Sequence, residues 1–264
     1  MPLWTWTGLK AGKAATRWPT RGVDGQQGVV GMPRLDLKVC RSGCDACANS
    51  CPTGAIQMRE REPVIDYGRC IVCLSCVEEC PEGAMQSSYD WAFGVRSRTD
   101  LIWSTALESV DAKELGRRVA RSQRRSLHIR HVDAGSCNAC ESEISALDNP
   151  FYNLHRLGIF FTPSPRFADL LMVTGPVTAT MHAPLLATWE AMPEPRMVMA
   201  SGTCAVSGAP MDAGYAGASG LESILPVDVW LPGCPPNPAA LIHALLLLLE
   251  RMPQYVAGGQ YGAG

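Results

Sequence analysis

Two units in series, an α+β unit stapled by cysteines and then an α/β unit with a mostly parallel sheet, are what this sequence predicts. Three observations carry the prediction. Eight cysteines crowd into the stretch from Cys40 to Cys80 as two copies of one run. Beyond residue 125, short β-rich stretches alternate with helical ones, the rhythm of a parallel sheet covered on both faces. The last four cysteines, Cys137, Cys140, Cys204 and Cys234, follow predicted strands, and ligand sites of open α/β sheets collect beyond the carboxyl ends of strands.

Length and composition bound what such a chain can do. With 264 residues it has room for one or two domains and a real core. A formal net charge of −2 argues against nucleic-acid binding through a broad basic surface. Twelve cysteines suit either a disulfide framework in a secreted chain or metal thiolates in a reducing compartment. Residues 1–38 hold no continuous apolar signal core and no twin-arginine pair, so a cytoplasmic, metal-binding chain is expected. The longest apolar stretch, Ala239 to Leu249, is interrupted by His243 and is too short to cross a bilayer. Membrane association would therefore come through partners.

In chain order, residues 1–35 are rich in Gly, Arg, Trp and Pro without a steady period and read as an extended arm whose tryptophans need burial. Residues 36–90 form the cysteine-stapled unit, with short strands around Gly54-Ala55-Ile56 and Pro63-Val64-Ile65. Its runs are Cys40, Cys44, Cys47, Cys51-Pro52 and Cys70, Cys73, Cys76, Cys80-Pro81, close to the C-x2-C-x2-C-x3-C-P pattern of two-cluster ferredoxins. The copies superimpose at a shift of 29 residues except at Cys40, where the first copy carries one extra residue. Either Ser42-Gly43 bulges so that Cys40 still reaches its iron, or that corner is open and the cluster is a three-iron form. The cross-ligation rule of two-cluster ferredoxins groups Cys40, Cys44, Cys47 and Cys80 at one [4Fe–4S] cluster, and Cys51, Cys70, Cys73 and Cys76 at the other. Metal binding would supply much of the folding energy of so small a unit.

Residues 91–125 read as a helical connection through Leu101, Ile102, Leu107, Val110, Leu115 and Val119. It ends in Arg117, Arg118, Arg121, Arg124 and Arg125, either a solvated face or a docking surface for an acidic partner. From 126 to 264 the candidate strands are Leu127 to Val132, Asp169 to Val173, Met197 to Ala200 and Val227 to Leu231. Helical segments fall near Glu141 to Leu147, His182 to Met192 and Pro238 to Arg251.

One site is the economical reading of the four late cysteines. Gly135, Gly202 and Gly233 lie beside them, where loops turn tightly and backbone N–H groups approach inorganic sulfide. Zinc is the competing metal, but zinc sites favour two close CxxC knuckles, and here there is a single CxxC with two distant cysteines. Twelve cysteines then divide into three sets of four, with no thiolate left over. Glu141 and Glu143 either serve a proton path at a subunit boundary or stabilise a helix N-terminus. His131 and His182 read as structural, since no ligand position is left open.

Three segments carry a resemblance. LHIRHVDAGSCNACESEISA at 127–146, TPSPRFADLLMVTGPVT at 162–178 and LPGCPPNP at 231–238 resemble the small subunit of group 4 [NiFe]-hydrogenases, related to the B subunit of respiratory complex I. The upstream part is similar to the two-cluster ferredoxin subunit of the same complexes, the complex I subunit I, and KAATRWP at 13–19 is similar to the arm that precedes its clusters. The fold class implied is an α+β two-cluster ferredoxin-like domain followed by an α/β flavodoxin-like domain with a mostly parallel sheet. The resemblance implies a proximal [4Fe–4S] cluster on Cys137, Cys140, Cys204 and Cys234, with the upstream clusters passing electrons to or from it. The implied partners are a hydrogenase large subunit or complex I D-like subunit, membrane subunits of the same complex, and a protein electron donor or acceptor. The chain would sit peripherally on the inner face of the membrane, with no nickel and no substrate-converting site of its own. Two alternatives stay open: a complex I-type quinone-reducing module, and a non-enzymatic iron–sulfur carrier. The Cys137-x2-Cys140 spacing favours the hydrogenase side, because the complex I B subunit has adjacent cysteines there.

Overall fold

Nine residues with only Gly8 as an internal weak point sustain helix α1 (Leu3–Ala11) at the start of the chain. Gly12, at φ 67°, ends it by donating its N–H to the Gly8 carbonyl. The arm is thus not extended throughout, as its irregular composition had suggested, because Pro2 and Gly12 bracket a stretch free of other helix breakers. The computed structural model describes residues 2–21, 26, 28–104, 126–135, 137–211 and 214–262. The arm's tryptophans divide: Trp4 and Trp6 are 76% and 56% exposed, whereas Trp18 is buried against the α/β unit. There, Arg156 donates to the carbonyls of Thr16 and Trp18. Further along, Gly31 and Met32 donate to Ser88 and Asp90 of the cysteine-rich unit, so the arm lies on both.

The cysteine-rich unit is built twice over. Strand β1 (Arg34–Leu35) pairs antiparallel with β4 (Met85–Gln86). Between them come helix α2 (Ala46–Asn49), the hairpin β2 (Ile56–Arg59) and β3 (Glu62–Asp66), and helix α3 (Ser75–Glu78). Helices α2 and α3 sit 29 residues apart, the shift that superimposes the cysteines, and Gly54 and Gly83 take matching positive φ of 59° and 64° at equivalent turns. The sequence repeat is therefore a structural repeat.

Strand β5 (Ile102–Trp103) follows a 3₁₀ turn at Arg98–Leu101 and adds to β3. This overturns the helical reading for the described part of the connection. Leu101 and Ile102 are buried or half-buried because the open edge of the β2–β3 hairpin pairs with the segment, and that edge is set by residues forty positions upstream. Leu107, Val110, Leu115, Val119 and the arginine cluster Arg117, Arg118, Arg121, Arg124 and Arg125 lie outside the described residues.

In the second unit, β6 (Leu127–Asp133), helix α4 (Ala139–Ala146), β7 (Ile159–Phe161), β8 (Leu170–Thr174), helix α5 (Ala179–Glu190), β9 (Met197–Ser201), helix α6 (Thr203–Ser207), β10 (Val229–Leu231) and helix α7 (Pro238–Leu248) follow in order. All neighbouring strands pair parallel, in the order β10-β9-β8-β6-β7. Numbered within the unit this is 2-1-3-4-5, the flavodoxin-like arrangement. The edge strand β7 had no counterpart in the sequence reading, since three residues with an exposed Phe160 give no period. A closing hairpin, β11 (Val256–Ala257) and β12 (Gln260–Tyr261), returns to the cysteine-rich unit, where Gly259 donates to the Asp100 carbonyl.

Alternation along the strands sorts the sheet's two faces. Leu170, Met172, Met197 and Met199 face α4 and α7. Leu171, Val173, Val198 and Ala200 face α5 and α6, and that core runs on without a break into Ile56, Ile65, Tyr67 and Phe93 of the cysteine-rich unit. The two units share one hydrophobic core.

Candidate metal centres

The runs fold so that cysteines distant in sequence meet. Cys51, Cys70, Cys73 and Cys76 line one partly open void of about 370 Å³, floored by Ile56 and Ile65. Cys40, Cys44, Cys47 and Cys80 line a second of about 300 Å³, against Leu35 and Met85. Each void thus takes the fourth cysteine of the opposite run. Cys40 stands with Cys44 and Cys80 at its void despite the extra residue, and Gly43, at φ 78°, donates its N–H to the Arg61 carbonyl at 3.3 Å. In the second copy the matching position is Val72, at φ 58°, a conformation that a β-branched residue rarely takes.

The third quartet gathers at the carboxyl edge of the sheet. Cys140 is buried in the first turn of α4, Cys204 lies on α6 after β9, and Cys137 and Cys234 are exposed on the loops after β6 and β10. Gly202, at φ 92°, faces Cys140: a Cβ there would lie 2.8 Å from the Cys140 Sγ. Gly233, at φ 138°, lets its loop fold onto Pro236. Gly135, at φ 124°, packs instead against Thr178.

Electrostatics show what the quartets require. Burial, followed by the neighbouring sulfurs, pushes the thiols of Cys76 and Cys204 up to about 11. Burial is also the chief reason that Cys70 and Cys140 rise to about 12, reinforced by adjacent sulfurs and, at Cys140, by Glu141. Four thiolates held this close and half out of water demand a cationic group. Cys51 and Cys80 are the opposite case. Burial raises them, but hydrogen bonds from the Thr53 hydroxyl and nearby N–H groups at Cys51, and from the N–H groups of residues 82–85 at Cys80, outweigh it and lower both. Ala55 N–H approaches the Cys51 Sγ at 3.3 Å, and Met85 N–H the Cys80 Sγ at 3.4 Å. Among the described residues, no three Cys, His, Asp or Glu side chains are spaced to hold a single metal ion. Four sulfurs set around a void, with N–H donors aimed at them, fit a bulky inorganic cluster whose sulfides and thiolates accept hydrogen bonds.

The acidic residues after the CxxC separate. Thr174 Oγ1 donates to Glu141, and His131 Nε2 lies 2.8 Å from the same Thr174 oxygen. Glu143, two residues on and so turned to another side of α4, is raised by burial and lies beside Tyr152. The two carboxylates do not line up as one relay. Burial lowers His131, more than Glu141 and Asp133 raise it, which fits a neutral hydrogen-bonding ring. His182 is exposed on α5. Thr203, which the sequence reading passed over, is buried and hydrogen-bonded to Cys70 of the second quartet and to Gly233 beside Cys234 of the third, and only its place before Cys204 hinted at it.

Both units match families of known proteins. Residues 137–248 match the family described as NADH ubiquinone oxidoreductase, 20 Kd subunit, and residues 40–84 match a 4Fe-4S dicluster domain. The chain is 38% identical to the probable membrane-bound hydrogenase subunit mbhJ of Pyrococcus furiosus over 56% of its own length and 90% of that protein. It is 41% identical to formate hydrogenlyase subunit 7 of Escherichia coli, over 50% of this chain and about half (52%) of that relative. A chain of the membrane-bound sulfane sulfur reductase, an archaeal respiratory membrane complex, aligns at 34% identity and a TM-score of 0.44, covering 49% of this chain and 71% of that one.

Proposed function

This chain belongs to the family of cluster-bearing small subunits shared by group 4 [NiFe]-hydrogenases and complex I, joined to a 4Fe-4S dicluster domain, and from that membership we propose a three-cluster electron relay. It serves as an electron-transfer subunit of an oxidoreductase complex, passing electrons to or from the active site of a partner large subunit.

The observation that carries the proposal is the set of three cysteine quartets, two lining voids of the first unit and the third gathered at the carboxyl edge of the parallel sheet. Each [4Fe–4S] group, when bound, supplies a one-electron redox site. The residues do the rest. Cys40, Cys44, Cys47 and Cys80 would hold the first cluster, Cys51, Cys70, Cys73 and Cys76 the second, and Cys137, Cys140, Cys204 and Cys234 the third. Ile56 and Ile65 keep water from the second, and N–H donors at Cys51 and Cys80 disperse negative charge on the sulfurs. The exposed Cys137 and Cys234 leave the third quartet open on one side, the side on which a large subunit would seat. Thr203 joins the second quartet to the third and Cys47 of the first quartet lies near Cys76 of the second, so the order of passage would be first, second, third. We assign the hydrogenase-type partner from the Cys137-x2-Cys140 spacing. The quinone-reducing reading is favoured instead by the family description itself. A large subunit with two nickel-binding CxxC pairs decides for the former, and one lacking both decides for the latter.

The direct test is iron and spin counting. The reconstituted chain should hold about twelve irons and give three reduced-cluster signals in electron paramagnetic resonance. Cys234→Ala should remove one signal and leave two. An unchanged spectrum would refute the third assignment, and a colourless, iron-free protein would refute all three.

A further inference from the structure

We propose that the Thr203 hydroxyl is the electronic bridge between the two units, a positioning residue that sets the rate of electron exchange between the second and third quartets. The proposal rests on reading both quartets as cluster ligands. Thr203 is 1% exposed, in the first turn of α6. Its Oγ1 donates to the carbonyl of Cys70 at 2.9 Å and accepts the N–H of Gly233 at 3.0 Å. Its own N–H donates to the Gly233 carbonyl at 2.9 Å. Thr203 is peptide-bonded to Cys204, and Gly233 to Cys234. One oxygen atom therefore touches a ligand-bearing residue of the second quartet and the loop before Cys234, while its own chain leads straight to Cys204. Among the described residues, other hydrogen bonds between the units lie elsewhere, such as those of Val95 with Trp230, of Arg96 with the Leu247 carbonyl at the far end of α7, and of Gly259 with the Asp100 carbonyl.

The chemistry explains why a threonine suits the position. The step it would serve is a one-electron transfer between the groups that the second and third quartets would hold, with no bond made or broken. Electronic coupling decays less along covalent bonds and hydrogen bonds than across a van der Waals gap. From Cys70 the path runs through its carbonyl, the Thr203 hydroxyl, and the Thr203 backbone into Cys204. The β-branch restricts the side-chain torsion, so the hydroxyl stays between its two partners. Valine keeps the shape and removes the oxygen, whereas serine keeps the oxygen. The hydroxyl meets a carbonyl and a backbone N–H and no sulfur, so its removal should slow exchange while leaving cluster potentials in place.

The experiment uses the whole chain reconstituted with iron and sulfide, as wild type, Thr203→Val and Thr203→Ser. After photoreduction, the rate at which the electron equilibrates between the second and third signals is followed. Thr203→Val should show three signals, unchanged midpoint potentials and a several-fold slower exchange, and Thr203→Ser should restore the wild-type rate. A wild-type rate in a fully loaded Thr203→Val protein overturns the proposal, as does a Thr203→Ser protein as slow as the valine variant. If the valine variant does not load, spin–spin splitting decides in the reduced chain. Splitting of the third signal that disappears only with Cys44→Ala overturns the bridge. Where it disappears with Cys73→Ala, Thr203→Ala, which also lacks the oxygen, is expected to show the slower exchange, and a wild-type rate there overturns the proposal. Absence of a third signal in the wild-type chain overturns the cluster reading as well.

Discussion

At the scale of single residues, the third centre depends on how closely backbone approaches sulfur. Gly202 combines φ 92° with a Cβ position 2.8 Å from the Cys140 Sγ, so any side chain there is strained and displaces a sulfur at once. Gly202→Ala should cost on the order of 1–3 kcal/mol in backbone strain alone. It should lose the third spin signal and about four irons per chain. Gly214→Ala, where nothing lies within 4 Å of a Cβ, should keep both and serves as the control. Iron analysis with electron paramagnetic resonance reads both variants. The cysteines and the CxxC were visible in the sequence. What Gly202 faces was not, because Cys140 reaches it from helix α4, which follows a different strand.

Among the elements, α7 sets a pH limit. All of its residues are buried, and Asn237 caps it by accepting the Ala240 N–H. Within it His243 is fully buried, stacked on Tyr255 with ring centroids 4.9 Å apart, and its Nε2 lies 3.0 Å from the Pro253 carbonyl. Burial pushes this imidazole down to about 4, although the Pro253 hydrogen bond raises it somewhat. The unfolded imidazole titrates near 6.5, so between about pH 6.5 and 4 the unfolded chain takes up a proton that the folded chain refuses. Stability is therefore full above this window and declines as pH falls through it, by on the order of 3 kcal/mol. Urea midpoints from pH 7 to 5 should fall less steeply in His243→Phe than in wild type. An equal slope in both would show that the buried ring does not govern it. The composition of α7 announced a buried helix, and His243 looked there only like an interruption of the apolar run.

For the whole molecule, the joint between the units decides how well a relay keeps its geometry. Aromatic rings run from one unit to the other: Trp18 to Trp91 at 5.6 Å, Trp91 to His243 at 6.0 Å, Tyr255 to Tyr261 at 5.9 Å, Tyr261 to Phe93 at 5.6 Å and Phe93 to Tyr67 at 4.9 Å. Such pairs add to the shared core. In the wild type, cluster absorbance and tryptophan fluorescence should report one coincident unfolding transition. Trp91→Ala should destabilise by about 2 kcal/mol, less than for a fully buried tryptophan, and separate the two transitions. Coincident transitions in the variant would assign the joint to the apolar core alone.

The sequence by itself determined the features that show as a repeated or periodic local spacing. It held the twelve cysteines in three sets, the 29-residue repeat, and four of the five strands of the parallel sheet, because cysteine runs and β-rich periods are short-range signals. It also carried the flavodoxin-like class, since strand–helix alternation restricts how a chain can be wound. Only the tertiary structure decided that β5 completes the first unit's sheet and that both units share one core. The same holds for the Thr203 bridge between Cys70 and Gly233. These features join residues tens to more than a hundred positions apart, and no period or motif along a chain records which distant surfaces meet.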